Sequence, residues 1–266
     1  MPNENNGVQE VPVRGGGLGP LDLTAKAAVV TGASSGIGAA TARRLARQGA
    51  RVVVGYHIGA ERAEKIVAEL PGDGHLALRL PIEDTGALEA AATVVRERFG
   101  SVSVLVNSAG STVPVAHRDL DGLTDELFDS MMRINVRGPY AVTRAFVPLL
   151  RASGDAVIVN VSSVSGRTAS GSSIAYCAAK AALDNLTMSL GRVLGPEIRV
   201  VGLAPAAVET EFVAGRGRDA IAAQAASTPL RVMVHPDDIA DAALAAITQL
   251  RVATGTTFVV DGGKHL

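Results

Sequence analysis

Tyr176 and Lys180 stand four residues apart, and Ser163 lies thirteen residues before the tyrosine. On a helix, residues at that spacing occupy one face, a turn apart. An ammonium held beside a phenol favours the phenolate and draws down a pKa that starts near ~10. A phenol tuned in this way can give a proton to a carbonyl oxygen, or take one from an alcohol, near neutral pH. A serine hydroxyl alongside can hold the same oxygen. Ser162 adjoins Ser163, and spacing selects Ser163, which precedes Val164-Ser165-Gly166. Tyr-x-x-x-Lys alone arises by chance on many helices, so its weight comes from the signals around it.

The first such signal is Thr31-Gly32-Ala33-Ser34-Ser35-Gly36-Ile37-Gly38. It falls between an apolar run and a helical stretch. Missing side chains let a pyrophosphate approach the backbone, and the helix start offers it free N–H groups. At the end of the second apolar run, Tyr56 and His57 stand where an acidic residue would meet an unphosphorylated adenosine ribose. With no acid there to repel a 2′-phosphate, the sequence favours NADP(H), with NAD(H) still possible. His57 either touches that phosphate or is a solvated loop residue.

The elements that must position these groups alternate. Strand patterns cover residues 27–31, 51–55, 75–80, 102–106, 156–161, 198–203 and 256–260. Helical patterns cover 37–48, 60–70, 85–99, 124–150, 174–194 and 236–250, with Pro139 and Pro148 as kinks or boundaries. Strand–helix alternation with fully apolar strands predicts an α/β fold, a doubly wound parallel sheet of about seven strands with helices on both faces. Ligands then bind at the carboxyl ends of the strands. Residues 206–234 read as an irregular flap over the site.

At 266 residues the chain fits one large domain, over residues 23–266, after a polar, Gly-rich extension over 1–22 expected to be mobile. Hydrophobic residues make up 47% and aromatics 3%, with no tryptophan, so the core is built from Ala, Val, Leu and Ile. A net charge of −1 gives no reason to expect nucleic acid or an anionic membrane as partner. The single cysteine, Cys177, excludes an intrachain disulfide and fits a reducing, cytoplasmic setting. No apolar run has the length of a membrane span or a signal peptide core. No metal is expected.

The glycine loop, Asn107-Ser108-Ala109-Gly110, Asn135, Ser163, Tyr176, Lys180, Pro205 and Val260-Asp261-Gly262-Gly263 together resemble the short-chain dehydrogenase/reductase family, in its compact single-domain, Rossmann-like branch. The resemblance implies that Gly32, Ser34, Ser35, Gly36, Ile37 and Gly38 border the cofactor pyrophosphate. It implies that Asn107, Ala109 and Gly110 line the adenosine side. Asn135 would sit at a helix irregularity and hold a water relaying protons from Lys180. Ser163 would bind the substrate oxygen and Tyr176 would be the acid/base. Lys180 would bind the nicotinamide ribose and lower the Tyr176 pKa, and Val208 and Thr210, after Pro205, would anchor the nicotinamide. A homotetramer or homodimer is implied, in contact through the 174–194 helix and the last strand. Departures fall at Pro81, Ser108, Val201 and Ala206, which bear on cofactor contacts more than on the chemistry.

The resemblance therefore implies an oxidoreductase acting on a small carbonyl/alcohol pair. Two alternatives stand beside it: a nicotinamide-binding scaffold or redox-sensing regulator without catalysis, and an enzyme that uses bound nicotinamide for dehydration or epimerisation. Asn135 is alternatively a helix-kink residue, and Thr210 a helix cap. Arg167, His117, Arg216, Arg218 and Arg231 are available to an anionic group on the substrate.

Overall fold

The computed structural model describes residues 17–266. Its elements run β1 (Ala27–Thr31), α1 (Gly36–Arg47), β2 (Arg51–Tyr56), α2 (Ala60–Glu69), β3 (Leu76–Arg79), α3 (Thr85–Phe99), β4 (Val104–Asn107) and α4 (Asp125–Met132). A π-helical turn, Arg133–Arg137, leads into α5 (Gly138–Ser153). There follow β5 (Ala156–Val161), α6 (Ser165–Thr168), α7 (Ile174–Val193), β6 (Ile198–Pro205), α8 (Arg218–Ala226), α9 (Pro236–Thr248) and β7 (Thr256–Val260).

The seven strands form one sheet in the order β3-β2-β1-β4-β5-β6-β7. Every neighbouring pair is parallel. β1, β4 and β5 are buried along their whole lengths, which is why they read as unbroken apolar runs. Alternate side chains enter opposite cores. Ala28, Val30, Val52 and Val54 face α1, α2 and α9, while Val29, Val53, Leu105 and Ile158 face α3, α5 and α7. Arg44 on α1 meets Asp241 on α9 at 2.8 Å.

The chain winds outward from β1 to β3, then crosses to β4 and winds outward to β7. The two halves part at β1 and β4, and that switch point opens a crevice at the strand ends. Thr31 and Asn107 end these two strands in register. The Thr31 hydroxyl accepts from the N–H groups of Ser108 and Ala109, both at 3.1 Å, which ties the two strand exits together.

Three elements differ from the sequence pattern. The helical region expected over 124–150 is divided by the π-helical turn. Pro139 falls at the junction of the π-helical turn and α5, whereas Pro148 is accommodated inside α5. The flap contains a helix, α8, and is anchored at both ends by a parallel bridge between Val208 and Val234. Of the extension expected over 1–22, residues 1–16 lie outside the described residues. Its end is attached to the fold: the Leu21 N–H donates to the Thr248 carbonyl at 2.9 Å, and Arg251 donates to that of Gly19.

Candidate active site

A cleft of about 1160 Å³ opens at the carboxyl ends of the strands. Gly32 and Ser34 to Gly38 of the glycine loop, with His57, Ala109, Gly110, Ser163, Tyr176, Lys180, Pro205, Val208 and Thr210, all border it. Thus most of the candidate residues, spread over some 180 positions of sequence, face one space.

At its first end lies a cradle that only glycine can form. Gly32 has φ +65°, and a Cβ there would stand 2.8 Å from the Ala109 Cα. A Cβ on Gly38 would stand 2.4 Å from the Gly32 carbonyl oxygen. Ser35 precedes α1 without a side-chain capping bond, so the first N–H groups of that helix are left to a ligand. The chain therefore fits a dinucleotide by backbone close approach and by free donors together.

At the other end lie the candidate proton-handling residues. Ser173 caps α7, accepting the Tyr176 N–H at 3.2 Å, and so sets the first turn from which the phenol projects. Lys180 lies one turn on, its Nζ 5.6 Å from the centre of the Tyr176 ring. Ser163 follows the end of β5, its Oγ accepting the Ser165 N–H at 3.2 Å. The Ser162 hydroxyl donates to the Lys180 carbonyl at 3.3 Å, so it serves α7 and leaves Ser163 as the serine beside the phenol. Phe212, from the flap, lies with its ring 6.1 Å from that of Tyr176.

Electrostatics here differ from expectation. Burial pushes the Tyr176 phenol up to about 12, with the Ser163 hydroxyl and the Arg216 charge pulling against it. Burial draws the Lys180 ammonium down to about 8, with Asp184 opposing. The Lys180 Nζ donates a hydrogen bond to the Val161 carbonyl at 2.8 Å. In this geometry Lys180 holds the end of β5, and the Arg216 charge also acts on the phenol.

Three candidates do not border the cleft. Tyr56 belongs to β2, which runs one residue further than its apolar pattern, so Tyr56 shares the parity of Val52 and Val54 and packs into their core. Asn107 points into the interior, donating to Asn160 at 2.9 Å and Thr143 at 3.3 Å. Asn160 in turn donates to Thr187 on α7 at 2.9 Å, so Asn107 begins a polar ladder beneath the site. Asn135 does sit at a helix irregularity, the π-helical turn, and is wholly buried. Its amide donates to the carbonyls of Ser111 and Met131 at 2.9 and 3.0 Å, so it positions the loop after β4.

The cleft also shows residues that sequence reasoning missed. Arg43 on α1 and Arg62 on α2 border it near His57. Arg43 is paired with Glu69 at 2.9 Å. Arg62 folds over Gly59, where an added Cβ would stand 2.6 Å from its guanidinium. Leu80 and Ile82 supply apolar walls beside Pro81, while Asp84 caps α3 by accepting from Ala87 at 3.0 Å.

Residues 32–265 match a family model described as Enoyl-(Acyl carrier protein) reductase. The ketoacyl reductase 2 assigned to the granaticin polyketide synthase of Streptomyces violaceoruber is 37% identical, over 91% of this chain and 97% of that protein. Two solved structures are similar in fold and sequence. A 3-ketoacyl-(acyl-carrier-protein) reductase from Brucella melitensis, complexed with NADH, has a TM-score of 0.83 at 33% identity, over 92% of this chain and 100% of that one. A short chain dehydrogenase from Burkholderia cenocepacia, in complex with NADP, has a TM-score of 0.82 at 33% identity over the same shares.

Proposed function

The chain belongs to the short-chain dehydrogenase/reductase family, an NAD(P)-dependent oxidoreductase lineage, and from that premise we propose that Tyr176 is the acid/base of a reaction between a small carbonyl compound and its alcohol. A bound nicotinamide supplies or accepts the hydride. The protein's part is to orient, to hold the oxygen and to move one proton. Ser163 donates a hydrogen bond to the substrate oxygen. Tyr176 gives that oxygen its proton in reduction and removes it in oxidation. Lys180 holds the end of β5 at Val161 and orients the phenol. Asn135 positions the Gly110–Ser111 backbone that faces Lys180.

The observation that carries this reading is the meeting of Ser163, Tyr176 and Lys180 with the glycine cradle in one cleft. The test is Tyr176→Phe. It should bind dinucleotide as the parent does and lose turnover by roughly 10²- to 10⁴-fold. Near-parental turnover would end the assignment.

For the cofactor, NADP(H) is favoured. His57 and Arg62 line the cleft at the end of β2, and β2 ends without an acid. A paired titration should give tighter binding of NADPH than NADH, and Arg62→Gln should narrow the gap. The single domain over residues 23–266, a homotetrameric or homodimeric assembly and a cytoplasmic setting complete the proposal. Exposed Met188 and Val193 on α7 support assembly, and elution as a monomer would count against it. No helix among the described residues is long and apolar enough to cross a membrane.

A further inference from the structure

Five cationic side chains are available in the sequence to meet an anion on a substrate, and the fold separates them. Arg167 is occupied, donating to the Thr257 carbonyl at 2.8 Å with Asp184 at 3.7 Å. Arg218 is paired with Glu209 at 2.9 Å. His117 and Arg231 do not border the cleft, whereas Arg216 does. It comes from the flap, between Gly215 and Gly217, and reaches back toward the Tyr176 phenol, which feels its charge.

The Arg216 guanidinium is half-buried, and its Nε is shut off from solvent with no hydrogen-bond partner. Glu209 and Glu211 share its loop, and among the described residues neither pairs with it. An always-charged fork of five donors, partly dehydrated and unanswered, is a poor structural element and a good carboxylate receptor. Phe212 and Val213 beside it give the same part of the cleft an apolar wall. The glycines on either side bring no side chain that would hold the arginine elsewhere: a Cβ at Gly215 or Gly217 would meet nothing within 4 Å.

We propose that Arg216 is a specificity-determining residue that binds a carboxylate of the substrate, so that the carbonyl compound reduced here is a keto acid and the alcohol oxidised is a hydroxy acid. This rests on the reading of Tyr176 and Ser163 as the reacting end of the same cleft. The flap then reads the anion while α7 and the end of β5 handle the oxygen. Neutral ketones, esters and thioesters would lack the second point of attachment.

The test is steady-state NADPH oxidation with acetoacetate, levulinate and 4-oxocyclohexanecarboxylate. Each is run against its methyl ester, together with S-acetoacetyl-N-acetylcysteamine as a neutral thioester. The parent should favour at least one acid over its ester. Arg216→Gln should lower kcat/KM for that acid by roughly 10- to 100-fold, mainly through KM, whereas the esters, which lose only the guanidinium's influence on Tyr176, should change far less and in kcat alone. Arg216→Lys should recover part of the loss. Esters or the thioester used as well as the acids by the parent would overturn the proposal. So would an equal loss on acids and esters with a displaced pH profile, which would leave Arg216 a tuner of Tyr176 alone, with no part in reading a carboxylate. Weakened NADPH binding in Arg216→Gln would assign the guanidinium to a cofactor phosphate and overturn it likewise. Turnover on neither series by a parent that binds NADPH would instead remove the hydride-transfer reading, and this inference with it.

Discussion

Lys180 should make the protein less stable near neutral pH, and Lys180→Met should therefore stabilise it while abolishing turnover. Lys180 is 5% exposed, and burial lowers its ammonium from 10.5 to about 8. Below pH 8 it is charged in both the folded and unfolded chain, so folding bears the whole cost of burying the charge, about 3 kcal/mol. Between pH 8 and 10.5 the folded form releases its proton first, and the cost declines as pH rises. Above 10.5 neither form is charged and the cost is gone. Methionine has comparable length and no charge, but it strands the Val161 carbonyl, which Lys180 reaches at 2.8 Å. That loss takes back about 1 kcal/mol. The expected net gain is thus about 2 kcal/mol at pH 7, shrinking to near nothing by pH 9.5. Tyr176, raised to about 12, is present in both proteins, so its own pH dependence cancels in the difference. Urea denaturation of both proteins without dinucleotide, at pH 7 and pH 9.5 and one protein concentration, measures the difference. A parent more stable than the variant at pH 7, or a gap that does not move with pH, would refute the reasoning.

The two neighbouring serines should separate cleanly. Ser163→Ala should lower kcat by about 10²- to 10³-fold with dinucleotide binding intact. Ser162→Ala should cost about 1 kcal/mol of stability, from its lost bond to the Lys180 carbonyl, and leave kcat within a few-fold in the same assay. Gly38→Ala should fail at the cradle: its Cβ would stand 2.4 Å from the Gly32 carbonyl, so calorimetry should show roughly 1–3 kcal/mol of lost stability, and titration a loss of NADPH binding.

The parts of this molecule legible in its sequence are those where one physical rule acts alone. β1 and β5 are buried on both faces, so an apolar run bounded by turn residues marks them fully. The glycine cradle is legible because no other residue tolerates its contacts. Tyr176 and Lys180 are legible because helical geometry sets their spacing. Illegible features arise where elements far apart in sequence compete. The end of β2 is set by pairing with β3, where Tyr56 lies opposite Arg79, and that one added residue turns the tyrosine into the core and leaves His57 to the cleft. Asn135 sits in a π-helical turn whose cause is tertiary: its amide is held across space by the loop at Ser111. The α8 helix carries a faint signal in Ile221 and Ala225, four residues apart and both buried, but its charges and small residues mask it. Arg62 is absent from any reading that inspects only the strand end, because it reaches the cleft from the first turn of the next helix. The same reasoning explains Arg216. Five cations are equivalent in sequence; partners on β7, α7 and the flap occupy Arg167 and Arg218, the fold holds His117 and Arg231 away from the cleft, and Arg216 remains to meet a ligand.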